Sequence, residues 1–360
     1  MKVLLIGEYS SLHKYLKEGL KSIGVDVTLA SGKDAWKKIN GADLPFGEVN
    51  YHGLNLKTFY QYFIQPFRDA KKLNGYDVVQ LISPRLVHPF INYFVCKMIV
   101  KKNRNLSLVA AGGDLAIVTA YERGLFDYYC FDYEKSTVNQ YNKKTLIGII
   151  NTKTTKYLED KANLIIPSLY EYSLCHQDQK VTKVIPFPIN IDDIKYKTNI
   201  VKDRVVFFHG LNREKEKGTS FIVEALKKLE REYPDEVEVI IDGHMPFNEY
   251  LKVLEKTNVV IDQCLTYGYG INACISMAQG KIVMAPCRKE TLDAFGIAQS
   301  PIIGIKPDVE YIYSQMVKIL KNKEQIPQIG EASRKYVEDI HDYRKVAKQY
   351  YELWSSFCNY

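Results

Sequence analysis

Ten short apolar runs, most of them separated by stretches of helical period, constrain this chain more than any other feature. They are Val3 to Ile6, Val25 to Leu29, Val78 to Ile82, Ser107 to Ala111, Leu164 to Pro167, Val184 to Ile185, Arg204 to Phe208, Val237 to Ile241, Val259 to Ile261 and Ile282 to Ala285. Between them lie segments such as Leu12 to Ile23 and Ser220 to Tyr233, in which apolar residues recur three and four apart. Strands that alternate with helices form parallel sheets covered on both faces. The opening MKVLLIGEYSS, a strand running into a glycine turn and then a helix, is the entry unit of a doubly wound domain.

The alternation breaks once. Phe187 to Asp203 (FPINIDDIKYKTNIVKD) is polar, contains Pro188 and lacks periodicity, and RVVFFHG at Arg204 then restarts the pattern. The chain is therefore expected to be α/β, with two Rossmann-like doubly wound domains, 1–186 and 204–338, joined by a linker at 187–203. Their cleft is expected at the carboxyl ends of the strands, where open sheets bind ligands. The tail HDYRKVAKQYYELWSSF carries Val346, Tyr350 and Trp354 on one helical face, so 339–360 is expected to be a packed terminal helix that crosses back onto the first domain.

Several function classes fall away. The seven cysteines are scattered with no CxxC spacing, which suggests neither a disulfide framework nor a zinc knuckle and fits reduced thiols in a cytoplasmic protein. Five apolar residues before Gly7 are too few for a signal-peptide core, and no window approaches the length of a membrane span. A net charge of +7 with 42 acids among 49 bases argues against a dedicated nucleic-acid binder, while leaving room for an anionic substrate or surface.

Four segments in the second half carry a resemblance. They are VIPFPINID (Val184 to Asp192), FHGLNREKEKGTSFIVEALKKL (Phe208 to Leu229), NVVIDQCLTYGYGINACISMAQGKIVMA (Asn258 to Ala285) and the tail HDYRKVAKQYYELW. In order and spacing they resemble the glycosyltransferases of GT-B fold, more closely the retaining family 4. The resemblance implies transfer of a sugar from a UDP- or GDP-linked donor to a glycan or lipid-linked acceptor, as in bacterial surface polysaccharide or glycoconjugate synthesis. It implies no cofactor and no metal, because side-chain cations and helix dipoles can meet the charge that builds on a departing diphosphate.

The same resemblance assigns roles. Lys217, before Gly218, matches the family's diphosphate lysine, and Arg213 its partner, with His209 and Gly210 at the strand end beside them. Gly268, Tyr269 and Gly270 match a G-aromatic-G turn, after which Ile271 and Asn272 would offer backbone N–H groups to phosphate. Position rather than resemblance adds His209 and His244, which follow strands of the second domain, and Gly7, which follows the first strand, to the expected donor set; each could equally be an ordinary loop residue. Ser10, Ser11, Gly112, Gly113 and Asp114 are expected to face the acceptor, with Asp114 either a base or simply a helix N-cap. The family's two glutamates are absent: Tyr267 and Ile275 stand at their positions, and Ile275 has no hydrogen-bonding side chain. The alternative to a transferase is accordingly a non-catalytic nucleotide- or glycan-binding partner of the same fold. The run Ile91 to Arg104 (INYFVCKMIVKKNR) is either a helix covering the sheet or a basic, aromatic contact with anionic lipid on the inner face of the cytoplasmic membrane.

Overall fold

The computed structural model describes residues 1–32, 39–47, 55–176, 180–243, 245 and 247–358, with backbone alone at 247 and 248. The chain divides into two compact units. Unit 1 comprises Met1–Leu125, Ser136–Pro188 and Tyr343–Tyr360, and unit 2 comprises Phe126–Lys135 and Ile189–Asp342.

Unit 1 begins with β1 (Lys2–Ile6), α1 (Leu12–Ser22), β2 (Asp26–Ser31), β3 (Leu44–Pro45), α2 (Leu56–Phe63), α3 (Gln65–Lys72) and β4 (Val78–Leu81). It continues with α4 (Pro89–Lys101), β5 (Asn105–Ala110), α5 (Leu115–Glu122), α6 (Ser136–Asn139), α7 (Leu146–Lys161), β6 (Leu164–Pro167) and α8 (Tyr170–Cys175). The six strands are parallel, in the order β3-β2-β1-β4-β5-β6. Their burial on both faces explains why they are continuous apolar runs, as in β1, where Val3, Leu4, Leu5 and Ile6 are fully buried.

Unit 2 holds β7 (Val205–Gly210), α9 (Glu214–Lys217), α10 (Thr219–Glu232), β8 (Val237–Asp242), α11 (Phe247–Lys256), β9 (Val259–Ile261) and α12 (Ile271–Ala278). Then follow β10 (Ile282–Ala285), α13 (Lys289–Phe295), β11 (Ile303–Gly304), α14 (Val309–Lys321) and α15 (Ile326–Tyr336). Its sheet is also parallel, in the order β11-β10-β9-β7-β8.

The terminal helix α16 (Tyr343–Cys358) belongs to unit 1 and packs along α1. Gly19 permits the approach: a Cβ there would lie 2.2 Å from the Tyr343 carbonyl oxygen. Val346, Tyr350 and Trp354, the expected stripe, are buried, and Trp354 Nε1 donates to Ser107 Oγ on β5 at 3.4 Å.

One expected strand is absent. Val184 and Ile185 are buried but form no strand, because Pro186 and Pro188 lack the N–H groups a ladder needs. The segment follows β6 through a bridge at Val181 and a bond from Ile185 N to the Pro167 carbonyl. The two-residue edge strands β3 and β11 lack a sequence signal of their own, being too short for one.

Candidate functional site: an anion seat in unit 2

The sheet order sets β7 beside β9, so the loops leaving their carboxyl ends meet. Arg213 adopts the left-handed region (φ 53°), α9 makes a single turn, and Gly218 (φ 74°) reverses the chain into α10. A Cβ on Gly218 would meet Cys264 Sγ at 2.5 Å, so glycine is required there for the KG turn to lie against the loop after β9. A backbone bond from Cys264 N to the Lys217 carbonyl fixes the contact at 2.9 Å.

This approach brings Lys217 Nζ to 2.9 Å from Asp262 Oδ1, with both side chains buried. The other carboxylate oxygen accepts from Gly270 N at 3.2 Å, at the head of α12. Burial by itself would raise the Asp262 pKa, but the Lys217 ammonium and the Gly270 N–H outweigh it, and the group is held below its ordinary range. Arg213 is exposed and adds a favourable Coulomb contribution to the same carboxylate. Gly270, the N-cap, contributes no side-chain cap. A buried cation and a helix N-terminus thus converge on one anion, which here is the chain's own carboxylate.

Gln263 staples the loop, its Nε2 donating to Thr266 Oγ1 and to the Gly268 carbonyl at 2.6 and 2.8 Å. Two expectations need correction. The side chain of Tyr269 points away from the loop surface and is 1% exposed, with its hydroxyl hydrogen-bonded to Tyr336 Oη and His341 Nε2 at 2.7 and 3.0 Å. The ring is amphipathic and finds buried partners, so only the backbone at Tyr269 is available to a ligand. His209 is fully buried: Nδ1 donates to the Ile261 carbonyl at 2.8 Å, and Nε2 accepts from Thr219 Oγ1 at 2.9 Å. Burial lowers its pKa to about 4, so it is a neutral core histidine with both nitrogens engaged.

Gly210 ends β7, Gly268 is buried in the loop, Ile271 is buried at the start of α12, and Asn272 is exposed beside it. His244 lies outside the described residues. Tyr267 and Ile275 are both buried. Tyr267 Oη accepts from Asp127 N at 2.6 Å, and the Arg288 guanidinium sits 3.4 Å over its ring while pairing with Asp127 at 3.0 Å. The tyrosine therefore anchors segment Phe126–Lys135 to unit 2. A groove of about 1050 Å³ runs along α10 and borders the seat at Leu211 and Gly218, but Lys217 and Arg213 do not line it, so the chemistry lies beside this hollow rather than in it.

Unit 1 gathers the other expected residues at the carboxyl ends of β1, β4 and β5. Gly7 (φ 86°) turns the chain beside Ile82, while Ser10 and Ser11 are left-handed at φ 52° and 75°. The Glu8 carboxylate accepts from His13 N and Lys14 N at 3.2 and 2.8 Å, so α1 is capped internally, a role its position before the helix could have signalled. The Tyr9 ring lies against Gly112, and Arg85 donates to the Gly113 carbonyl at 3.3 Å, which joins the two expected acceptor loops. Gly7, Glu8, Tyr9, Ser83 and Arg85 border a hollow of about 200 Å³. Asp114 is the N-cap of α5, accepting from Ile117 N at 3.0 Å, and its second oxygen lies 3.9 Å from His176 Nε2. Arg85 and His176 stand in no local motif, so nothing in the sequence marks them as neighbours of these loops.

No protein-family model matches the sequence, and no curated protein matches it. Solved structures do. The chain is similar to sucrose-phosphate synthase from Thermosynechococcus elongatus (TM-score 0.65, 14% identity, 99% of each chain). It is also similar to Anabaena HepE in complex with UDP and glucose (TM-score 0.63, 13% identity, 99% of this chain and 100% of that one). A third likeness is to the UDP-GlcNAc 2-epimerase of Neisseria meningitidis bound to UDP-GlcNAc (TM-score 0.55, 12% identity, 98% and 99%). Identities this low speak for architecture alone, and the architecture is the GT-B one of two Rossmann-like units.

Proposed function

We propose that the protein is a glycosyltransferase that takes a nucleotide-sugar donor, with the donor diphosphate bound at the Lys217 and α12 seat. The observation that carries this reading is the bridging of Lys217 and the Gly270 N–H by the two oxygens of one carboxylate, which marks a place built to hold an anion. Two similar structures hold UDP with glucose and UDP-GlcNAc, which supports a uridine donor without requiring it. In the reaction the bond from the sugar anomeric carbon to the diphosphate oxygen breaks, and its electron pair leaves with the phosphate. The acceptor hydroxyl oxygen bonds to that carbon, and its proton passes to the departing phosphate oxygen, so configuration is retained without a covalent enzyme intermediate. Lys217, Arg213 and the α12 N–H groups would meet the charge on the leaving group. Asp114 and the Gly112–Gly113 loop would face a glycan or lipid-linked acceptor.

The placement of Tyr267 and Ile275 favours a second reading, a nucleotide-sugar-binding partner that does not turn over, because neither side chain supplies a carboxylate to the donor. Thermal-shift titration with UDP, GDP, CMP and their sugars tests both. One nucleotide should raise the melting temperature at saturation. The volume-matched pair Lys217→Met with Asp262→Leu should lose that shift. Release of free nucleoside diphosphate from the stabilising sugar donor separates a transferase from a binder. Absence of any shift with every nucleotide would overturn the proposal.

A further inference from the structure

Helix α2 is amphipathic the wrong way round for a fold element. Leu56, Phe59, Tyr60 and Phe63 recur at three- and four-residue spacing, the stripe a soluble helix buries. Here the one buried residue of the helix is the polar Gln61, while Leu56 is 87% exposed and Phe59 56% exposed. Among the described residues, only Phe63 at the end of the stripe is half-buried, against His88, while Leu56, Phe59 and Tyr60 stay exposed.

The stripe continues across neighbouring helices. In series, α2 packs on α3, α3 on α4 and α4 on α7, whereas α1 packs on α16. The rings of Phe59, Phe63, His88 and Phe90 form a chain with centroids 5.1, 4.9 and 5.3 Å apart, leading from α2 to α4. On α4, Asn92, Val95, Cys96 and Ile99 are buried. Phe90 and Phe94, one turn apart, are exposed on another side, followed at the same helical spacing by Lys97 and Lys101. At the start of α7, Leu146, Ile147 and Ile149 are exposed beside Lys143 and Lys144. Of the 17 exposed large apolar residues among the described ones, nine lie in 56–64, 90–94 and 146–149.

Charge selects the partner. Residues 55–72, 89–104 and 142–161 contain 13 Lys or Arg against three Asp or Glu, a net +10 in a chain whose total is +7, so the remainder carries −3. Protruding apolar and aromatic side chains interleaved with lysines suit a deformable medium with negative headgroups, in which the rings enter the interfacial layer and the ammonium groups stay with phosphate.

We propose that the α2, α4 and α7 face of unit 1 docks on an anionic lipid bilayer, with α2 lying in the interface. Nothing in this depends on what the unit 2 seat binds. Flotation of the full chain with vesicles of phosphatidylglycerol and phosphatidylcholine, compared with phosphatidylcholine alone, tests it. Binding should require the anionic lipid and weaken with salt. Leu56→Gln with Phe59→Gln should weaken it by about tenfold or more at unchanged melting temperature, since both side chains are exposed and their removal leaves the core intact. Lys143→Glu with Lys144→Glu should weaken binding to anionic vesicles. Failure of the unaltered chain to float, or full binding by the Leu56/Phe59 variant, would overturn the proposal. So would a dimer in solution that the same variant dissociates while the vesicles stay bare, which would assign the face to a second copy of this chain.

Discussion

Lys217 and Asp262 form a buried ion pair 2.9 Å long between the turn after β7 and the end of β9, and the carboxylate extends it to the N–H of Gly270, the N-cap of α12. The pair links the turn after β7 to the end of β9, 45 residues apart in sequence, and through the carboxylate to the head of α12. Removing one partner leaves the other charge buried and uncompensated, which costs about 3–5 kcal/mol. Asp262→Asn and Lys217→Met should each unfold at markedly lower denaturant concentration. The double variant Lys217→Met with Asp262→Leu should recover much of the loss, and a double-mutant cycle in urea measures the coupling.

An anion entering the seat must displace or share Asp262, so stability and binding should part company there. Asp262→Asn, although less stable, removes the competing negative charge and one of the two acceptor oxygens, and should bind inorganic pyrophosphate about tenfold more tightly than the unaltered protein, measured by calorimetry. Equal or weaker binding by the variant would show that Asp262 is part of the seat rather than its occupant.

Much of this geometry was legible in the sequence, and the part that was not has a common cause. Lys217–Gly218 and the Gly268–Gly270 turn are local patterns, and parallel strands buried on both faces announce themselves as apolar runs. The partner of Lys217 depends on β7 lying next to β9, which is a matter of strand order and not of any local pattern. Tyr269 reads the same whether its ring faces a ligand or, as here, Tyr336 and His341. In α2 the spacing gives an amphipathic stripe without saying which side faces the sheet. Val184–Ile185 has the composition of a strand, and only its prolines distinguish it.

Acid should destabilise both units through buried histidines. Burial lowers the pKa of His13 in unit 1 and of His209 in unit 2 from 6.5 to about 4. His13 Nδ1 donates to the Gly7 carbonyl at 2.8 Å, and its Nε2 faces the Gln80 amide at 3.3 Å. Above pH ~6.5 both native and unfolded chains hold neutral histidines. As the pH falls toward about 4, the unfolded chain takes up protons that the native chain refuses, and each histidine withdraws about 3 kcal/mol by the acid end of that window. Asp262, whose folded pKa is depressed, acts lower still: its stabilisation is present above the unfolded carboxylate value and is lost as pH falls through the folded one. Calorimetric melting at pH 7 and pH 5 should show a drop of several degrees, reduced in His209→Gln and in His13→Gln, even though each variant starts from a lower value. An unchanged pH slope in both variants would refute the assignment.

The hydroxyl of Tyr269 should matter to folding and not to ligand. Tyr269→Phe takes one hydrogen-bond partner from the buried Tyr336 hydroxyl and one from His341 Nε2, at a cost of about 1–3 kcal/mol in urea denaturation. Nucleotide affinity should stay within about twofold, because the ring faces the interior and the backbone of the loop is untouched. A large loss of affinity at wild-type stability would place the hydroxyl in the site instead.

Tyr267 makes the last case, because it stands where the resemblance places a carboxylate and yet serves as an anchor. Its hydroxyl accepts the Asp127 N–H, its ring carries the Arg288 guanidinium, and Phe126 and Tyr128 pack edge-on at centroid distances of 5.1 and 5.7 Å. These contacts hold segment Phe126–Lys135 on unit 2 between two passages of the chain through unit 1. Arg288→Ala removes the cation from the ring and the partner from Asp127, so limited proteolysis should cut more rapidly around Arg123, the basic residue just before the segment, and Lys135, at its end. Tyr267→Glu supplies the missing carboxylate beside Arg288 but abolishes the ring contacts. It should therefore show the same susceptibility to protease, and it should gain nucleotide-sugar turnover only if the carboxylate, rather than the anchored segment, is what the site lacks. Protection unchanged in both variants would mean that the segment is held by its remaining contacts, among them Tyr133 against Phe221.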